Sequence, residues 1–195
     1  PYMTYEPNAK YVRVKVEKNL QTLKMDTTVT YGATKAECDT ATAATSLEIT
    51  NKYSVTEYAP EINKKVTGAE APSGTYAFKL EKVDSANSAT RTKDTDVLGT
   101  DTASITVAAM ASGETEKTGE AASFGKIRYT EEGVYTYTIS ETTTSGIDGM
   151  TYTTDKVELS VNVVKATDGT LTATPSYKDD NKTLTNNYTK LEGRS

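Results

Sequence analysis

Gly133-Val134-Tyr135-Thr136-Tyr137-Thr138-Ile139-Ser140-Glu141 alternates bulky and small polar side chains throughout. Successive side chains of an extended chain point to opposite faces. Tyr135, Tyr137 and Ile139 therefore share one face, and Glu141 falls on that face at the end of the run. The same period recurs along the chain. Val12, Val14 and Val16 alternate with Arg13 and Lys15, and Tyr76, Phe78 and Leu80 with Ala77 and Lys79. Val157, Leu159, Val161 and Val163 alternate with Glu158, Ser160 and Asn162. These runs are separated by Gly, Asp, Asn and Ser clusters, and no helical period competes with them. They predict an all-β chain of antiparallel, immunoglobulin-like β-sandwich domains.

Composition agrees with that class. The 195 residues fit one or two domains, and 37 threonines and 13 tyrosines favour strands. A net charge of −5 argues against a nucleic-acid partner. Histidine and tryptophan are absent, which removes the commonest general base and metal ligand, so no metal or cofactor is expected. The single cysteine, Cys38, has no partner for an internal disulfide and reads as a small packed side chain. No apolar stretch approaches the ~18 residues of a membrane span. The chain begins at Pro1 without a signal peptide, and 190–195, Lys-Leu-Glu-Gly-Arg-Ser, reads as an expression-vector tail. From these ends the chain is expected to be a piece of a longer polypeptide.

An internal repeat organises the rest. Residues from Tyr2 read YMTYEPNAKYVRVKVEK and close on SLEITNKYS; residues from Gly149 read GMTYTTDKVELSVNVVK and close on KTLTNNYT. Each copy starts with Met-Thr-Tyr, continues through an alternating Val-rich strand and ends on a short strand carrying Thr-Asn. Residues 1–54 are accordingly expected to be the C-terminal part of a preceding β-sandwich repeat, and 55–189 a complete domain in tandem with it. The junction at Thr56-Glu57-Tyr58-Ala59-Pro60 is short.

Three polar residues sit where the alternation calls for apolar ones. In Glu61-Ile62-Asn63-Lys64-Lys65-Val66, Lys64 shares a face with Ile62 and Val66. Glu141 follows Ile139, and in Leu184-Thr185-Asn186-Asn187-Tyr188, Asn186 lies between Leu184 and Tyr188. A strand-end residue turning to solvent explains any one of these alone. Together they bring an amine, a carboxyl and a carboxamide toward one interior. Burial favours the neutral forms of such groups. A neutral Lys64 would be a nucleophile, and a protonated Glu141 would hydrogen-bond the Asn186 carboxamide, polarise its carbonyl and shuttle protons. The product is a Lys64–Asn186 amide with loss of ammonia, formed once, with proximity supplying most of the drive.

The motifs Ile-x-Lys-x-Val-x-Gly, Gly-Val-Tyr-x-Tyr-x-Ile-x-Glu and Leu-Thr-Asn resemble, in that order, those of the isopeptide-linkage domain of Gram-positive pilins. That family is streptococcal-major-pilin-like, with a collagen-adhesin B-type fold. The resemblance covers about residues 59–189, and Gly74–Leu80 is similar to the family's second strand. It implies Lys64 as amine donor, Asn186 as acyl donor and Glu141 as the catalytic acid. It also implies a structural segment of a cell-surface pilin or adhesin, extracellular and cell-wall anchored, with neighbouring repeats or pilin subunits as partners. Asn51, in Leu47-Glu48-Ile49-Thr50-Asn51, matches the bonding asparagine, while its lysine and glutamate would lie upstream of residue 1. No sorting signal or polymerisation motif separates a pilus shaft from an adhesin stalk.

Rival readings are weaker. A carbohydrate- or protein-binding sandwich would use its tyrosines as a platform, yet Tyr135 and Tyr137 alternate like core residues. Asp94, Asp96 and Asp101 lack the regular spacing of a calcium loop. Beyond the self-reacting trio, no base and nucleophile pair suggests a turnover enzyme.

Overall fold

The computed structural model describes residues 3–40, 46–83 and 98–191. The chain divides into two compact units, Met3–Tyr53 and one that begins at Ser54. Residues 192–195 of the expected tail lie outside the described residues; Lys190 pairs with Glu70.

The first unit contains strands β1 (Met3–Thr4), β2 (Tyr11–Lys18), β3 (Met25–Gly32) and β4 (Lys52–Tyr53), with a helical turn α1 (Lys35–Cys38). β2 and β3 form an antiparallel hairpin in which Val12 lies opposite Tyr31, and β1 pairs antiparallel with β4, placing Met3 opposite Tyr53. The α1 turn departs from the all-strand expectation, and its cause is local. Thr34 accepts the N–H of Glu37 while the Glu37 carboxylate accepts the N–H of Thr34, a reciprocal cap legible in Thr34-Lys35-Ala36-Glu37. Cys38 is buried at the end of the turn, its Sγ donating to the Tyr11 carbonyl at 3.3 Å. Val12, Val14 and Val16 are more than half exposed on the face they share.

The second unit begins with β5 (Thr56–Tyr58), β6 (Glu61–Thr67), β7 (Gly74–Lys82) and β8 (Thr102–Val107). It continues with β9 (Glu116–Thr118), β10 (Ala122–Ser123), β11 (Ile127–Tyr129) and β12 (Gly133–Glu141). Last come β13 (Met150–Thr151), β14 (Lys156–Lys165), β15 (Leu171–Tyr177) and β16 (Thr183–Tyr188). One sheet has the order β15-β14-β12-β7-β8, antiparallel throughout. The other has the order β10-β6-β16-β13, with β9 also on β6. A short β5–β11 ladder completes the unit. The whole is an all-β, immunoglobulin-like sandwich.

The core lies between the sheets and follows the alternation. Tyr76, Phe78 and Leu80 of β7, Tyr135, Tyr137 and Ile139 of β12, and Val157, Leu159, Val161 and Val163 of β14 are buried from one side. Ile62, Val66 and Leu184 close it from the other. Each such side chain contributes about 1.5–3 kcal/mol on burial. Without tryptophan the volume comes from tyrosines, whose hydroxyls need partners; that of Tyr135 donates to the Glu131 carbonyl at 2.9 Å.

One pairing in the otherwise antiparallel fold runs the other way. The first long strand, β6, and the last, β16, are adjacent and parallel, with Lys64 opposite Leu184 and Val66 opposite Asn186. A parallel pair needs a long crossover, and here nearly the whole unit serves as one. Gly68, just past β6, lets β16 come this close. It has φ +107°, and a Cβ there would stand 1.9 Å from the carbonyl oxygen of Tyr188.

Candidate isopeptide site

Strand parity sends Lys64 inward from β6 and Asn186 inward from β16. Both are fully buried. Because β6 and β16 are neighbours, the two side chains are diagonal partners on one face, within reach of each other. Glu141 arrives from the opposite sheet. It ends β12, opposite Phe78 of β7, and its side chain is completely shielded from solvent.

The three groups meet. Lys64 Nζ donates to Glu141 Oε2 at 2.7 Å, and Asn186 Nδ2 donates to Glu141 Oε1 at 2.9 Å. One carboxyl thus holds the amine on one oxygen and the carboxamide nitrogen on the other. The carboxamide oxygen faces elsewhere: Asn186 Oδ1 accepts the main-chain N–H of Thr153 at 2.9 Å. The sequence led us to expect Glu141 on the carbonyl; the structure has it on the nitrogen.

Electrostatics follow from burial. Removing the Lys64 ammonium from water pushes its pKa below the ordinary lysine value, and the hydrogen bond and charge of Glu141 oppose that shift without cancelling it. The amine stands 4.9 Å from the centroid of the buried Tyr76 ring. The Tyr76 hydroxyl is itself pushed up to about 12 by burial, with Tyr152 and Glu141 adding to the effect. A buried ion pair costs several kcal/mol in desolvation, so this cluster is a poor device for stability alone.

Asn51 is placed differently. Leu47 and Ile49 are exposed, and the strand expected there is confined to Lys52–Tyr53. Asn51 is exposed as well, and its Oδ1 accepts the N–H of Glu6 at 3.1 Å. Of the carboxylates considered for calcium, Asp101 is paired with Lys79 at 2.5 Å, which depresses its pKa, while Asp94 and Asp96 lie outside the described residues.

Sequence reasoning missed two neighbours of the trio. Tyr76 is readable as inward-facing from the alternation of β7, though not as the ring beside the Lys64 amine. Thr153 contributes a backbone N–H, which carries no residue-type signal at all.

Residues 60–189 match the FctA family model, described as a Spy0128-like isopeptide containing domain. The chain belongs to this family. A solved structure shares the fold at low identity. A mutant of the major pilin of Streptococcus pyogenes aligns with a TM-score of 0.51 at 19% identity, over 67% of this chain and 50% of that one. The unsubstituted S. pyogenes major pilin gives 0.45 at 18% identity, over the same 67% and 50%. The aligned region thus spans half the length of those pilins. No curated protein matches the sequence.

Proposed function

We propose that the chain is a structural, mechanically stable segment of a Gram-positive cell-surface pilin or adhesin. Its FctA domain locks itself with an amide between Lys64 and Asn186, promoted by Glu141. The observation that carries this reading is the buried geometry: both reacting side chains are held by the two oxygens of one carboxyl, in a core that otherwise consists of apolar and tyrosine side chains.

The chemistry needs no cofactor. The carboxyl takes a proton from Lys64 through Oε2, and the neutral amine attacks Cγ of Asn186. The carboxyl passes that proton to Nδ2, which turns the carboxamide nitrogen into a leaving group. The C–Nδ2 bond breaks, ammonia departs, and the regenerated carboxylate takes the second Nζ proton, leaving a neutral C–Nζ amide beside a protonated Glu141. Holding amine and carboxamide in one dry site replaces a bimolecular encounter, an effect worth up to ~7–11 kcal/mol of barrier when alignment is good. The event happens once per chain, so the domain is no turnover enzyme.

Residues 1–54 fit the C-terminal part of a preceding repeat. Met3 lies opposite Tyr53 as Met150 lies opposite Tyr188, and Val12 opposite Tyr31 as Leu159 opposite Tyr177. Val12, Val14 and Val16 then correspond to the buried Leu159, Val161 and Val163, and their exposure is what a half domain without its covering strands would show. Asn51 corresponds to Asn186 and is the acyl position of a second bond, its lysine and glutamate supplied from outside residues 1–195. Partners of the whole are neighbouring repeats or pilin subunits in an extracellular fibre anchored to the cell wall. No helix among the described residues is long and apolar enough to cross a membrane.

Intact mass spectrometry of the denatured chain tests the reading. We expect a mass one ammonia below the sequence value, and the full sequence mass for Lys64→Ala and for Glu141→Ala. A wild-type chain at its full sequence mass sinks the proposal.

A further inference from the structure

Attack on Cγ of Asn186 moves an electron pair onto Oδ1, and Glu141 is not there to receive it, being committed to the nitrogen. The donor and acceptor chemistry fixes this orientation. A main-chain N–H can only donate, so the group facing Thr153 is the carboxamide oxygen. A carboxylate accepts, so the group facing Glu141 is the NH2. We infer that the main-chain N–H of Thr153 is the oxyanion donor of the cross-linking reaction, a catalytic group distinct from the Lys64, Glu141 and Asn186 side chains. The inference rests on the Lys64–Asn186 bond proposed above.

Its placement is built by the fold rather than induced by the reacting groups. Thr153 lies just beyond β13, which pairs with β16 through Met150 opposite Tyr188 and Thr151 opposite Asn187. The loop is set by the Thr153 hydroxyl, which accepts the N–H of Asp155 at 3.0 Å. Gly149, at φ +84°, allows the chain to enter β13 beside the Thr189 carbonyl, from which a Cβ would stand only 2.4 Å away. The first unit repeats the contact independently: Glu6, three residues after Met3, donates to the oxygen of Asn51, two residues before Tyr53. There it forms beside an exposed asparagine, so the pairing of these two short strands is enough to create it. An N–H fixed in advance at the oxygen where charge develops costs no reorganisation during the reaction.

The step balances with this donor in place. As the Nζ–Cγ bond forms, the carbonyl pair moves to Oδ1 and is held by the Thr153 N–H. As the pair returns, the Cγ–Nδ2 bond breaks, the nitrogen leaves as ammonia with the first Nζ proton relayed by Glu141, and the second Nζ proton passes to the Glu141 carboxylate. The N–H of Thr153 is neither gained nor lost.

The test replaces that single N–H. The full chain is made by cell-free translation with the α-hydroxy analogue of threonine at position 153, turning the amide into an ester. A control chain carries the ester at Thr154. Samples are quenched into denaturant at timed intervals and the loss of ammonia is followed by intact mass. We expect the position-153 ester to slow the reaction on the order of 10²-fold or more, and the position-154 ester to leave it near the wild-type rate. Equal rates for the position-153 ester and wild type overturn the inference while leaving the bond standing. A wild-type chain that never loses ammonia removes the bond and the inference with it. A second measurement does not depend on the ester chain folding. In the uncross-linked Lys64→Met chain, a scalar coupling across the hydrogen bond should link the Thr153 amide nitrogen to Cγ of Asn186. A folded chain in which this coupling is absent overturns the inference.

Discussion

Lys64 is a fully buried amine, and the consequences of changing its neighbours differ in kind. Removing the carboxyl in Glu141→Ala leaves an amine buried without its partner. We expect loss of the cross-link and, beyond that, a penalty of about 3–5 kcal/mol relative to another uncross-linked chain such as Asn186→Ala, read as a lower urea midpoint. Comparable midpoints for the two would mean that the Lys64–Glu141 contact contributes little. The depressed pKa of Lys64 also makes a pH prediction. In an uncross-linked chain the unfolded state holds the lysine proton up to the ordinary value of 10.5, while the folded state has already released it at lower pH. The unfolded state thus binds more protons between the depressed value and 10.5, and stability rises with pH through that window. The cross-linked chain has no such amine. The stability gap between wild type and Asn186→Ala should therefore narrow from neutral to alkaline pH, and a gap that widens would contradict the assignment.

At the scale of elements, parity carried most of the information. The inward faces of β6, β7, β12, β14 and β16 could be read because a period of two leaves only two choices per strand. Lys64, Glu141 and Asn186 were found by that rule alone. Adjacency was not readable in the same way. Nothing in Glu61–Thr67 or Thr183–Tyr188 states that these strands lie side by side and parallel, since pairing between distant segments depends on the whole topology. The α1 turn was written in Thr34 and Glu37 and lost among strand signals. The apolar run of Leu47 and Ile49 stays exposed, and β4 is confined to Lys52–Tyr53.

Two substitutions probe the elements directly. Gly68→Ala puts a methyl into the Tyr188 carbonyl and must move β16 away from β6, so we expect slower ammonia loss as well as lower stability. Unchanged cross-linking kinetics would mean that this approach does not position Asn186. Tyr177, at the end of β15, clamps the start of β6: its hydroxyl accepts the Glu61 N–H at 2.8 Å, donates to the Glu61 carbonyl at 3.1 Å and contacts the Tyr58 hydroxyl at 3.0 Å. Tyr177→Phe strands these groups and should cost about 1–3 kcal/mol in an uncross-linked background, measured by denaturant unfolding.

For the molecule as a whole, the proposed amide would tie the first long strand of the FctA domain, β6, to its last, β16. The closed loop would hold roughly 120 residues, and by analogy with a disulfide its effect on the unfolded chain would favour folding by about 4–5 kcal/mol. Force entering at one end of the domain would pass through the amide to the other without loading the core. Pulled from its ends, the cross-linked domain should show no extension from residues 65–185 at forces that fully unravel Asn186→Ala. The most direct measurement is tandem mass spectrometry of a proteolytic digest of the wild-type chain. The account predicts a branched peptide in which the segment containing Lys64 is joined through Nζ to the segment containing Asn186, one ammonia lighter than the two together. Recovery of both segments as separate linear peptides at full mass would contradict it.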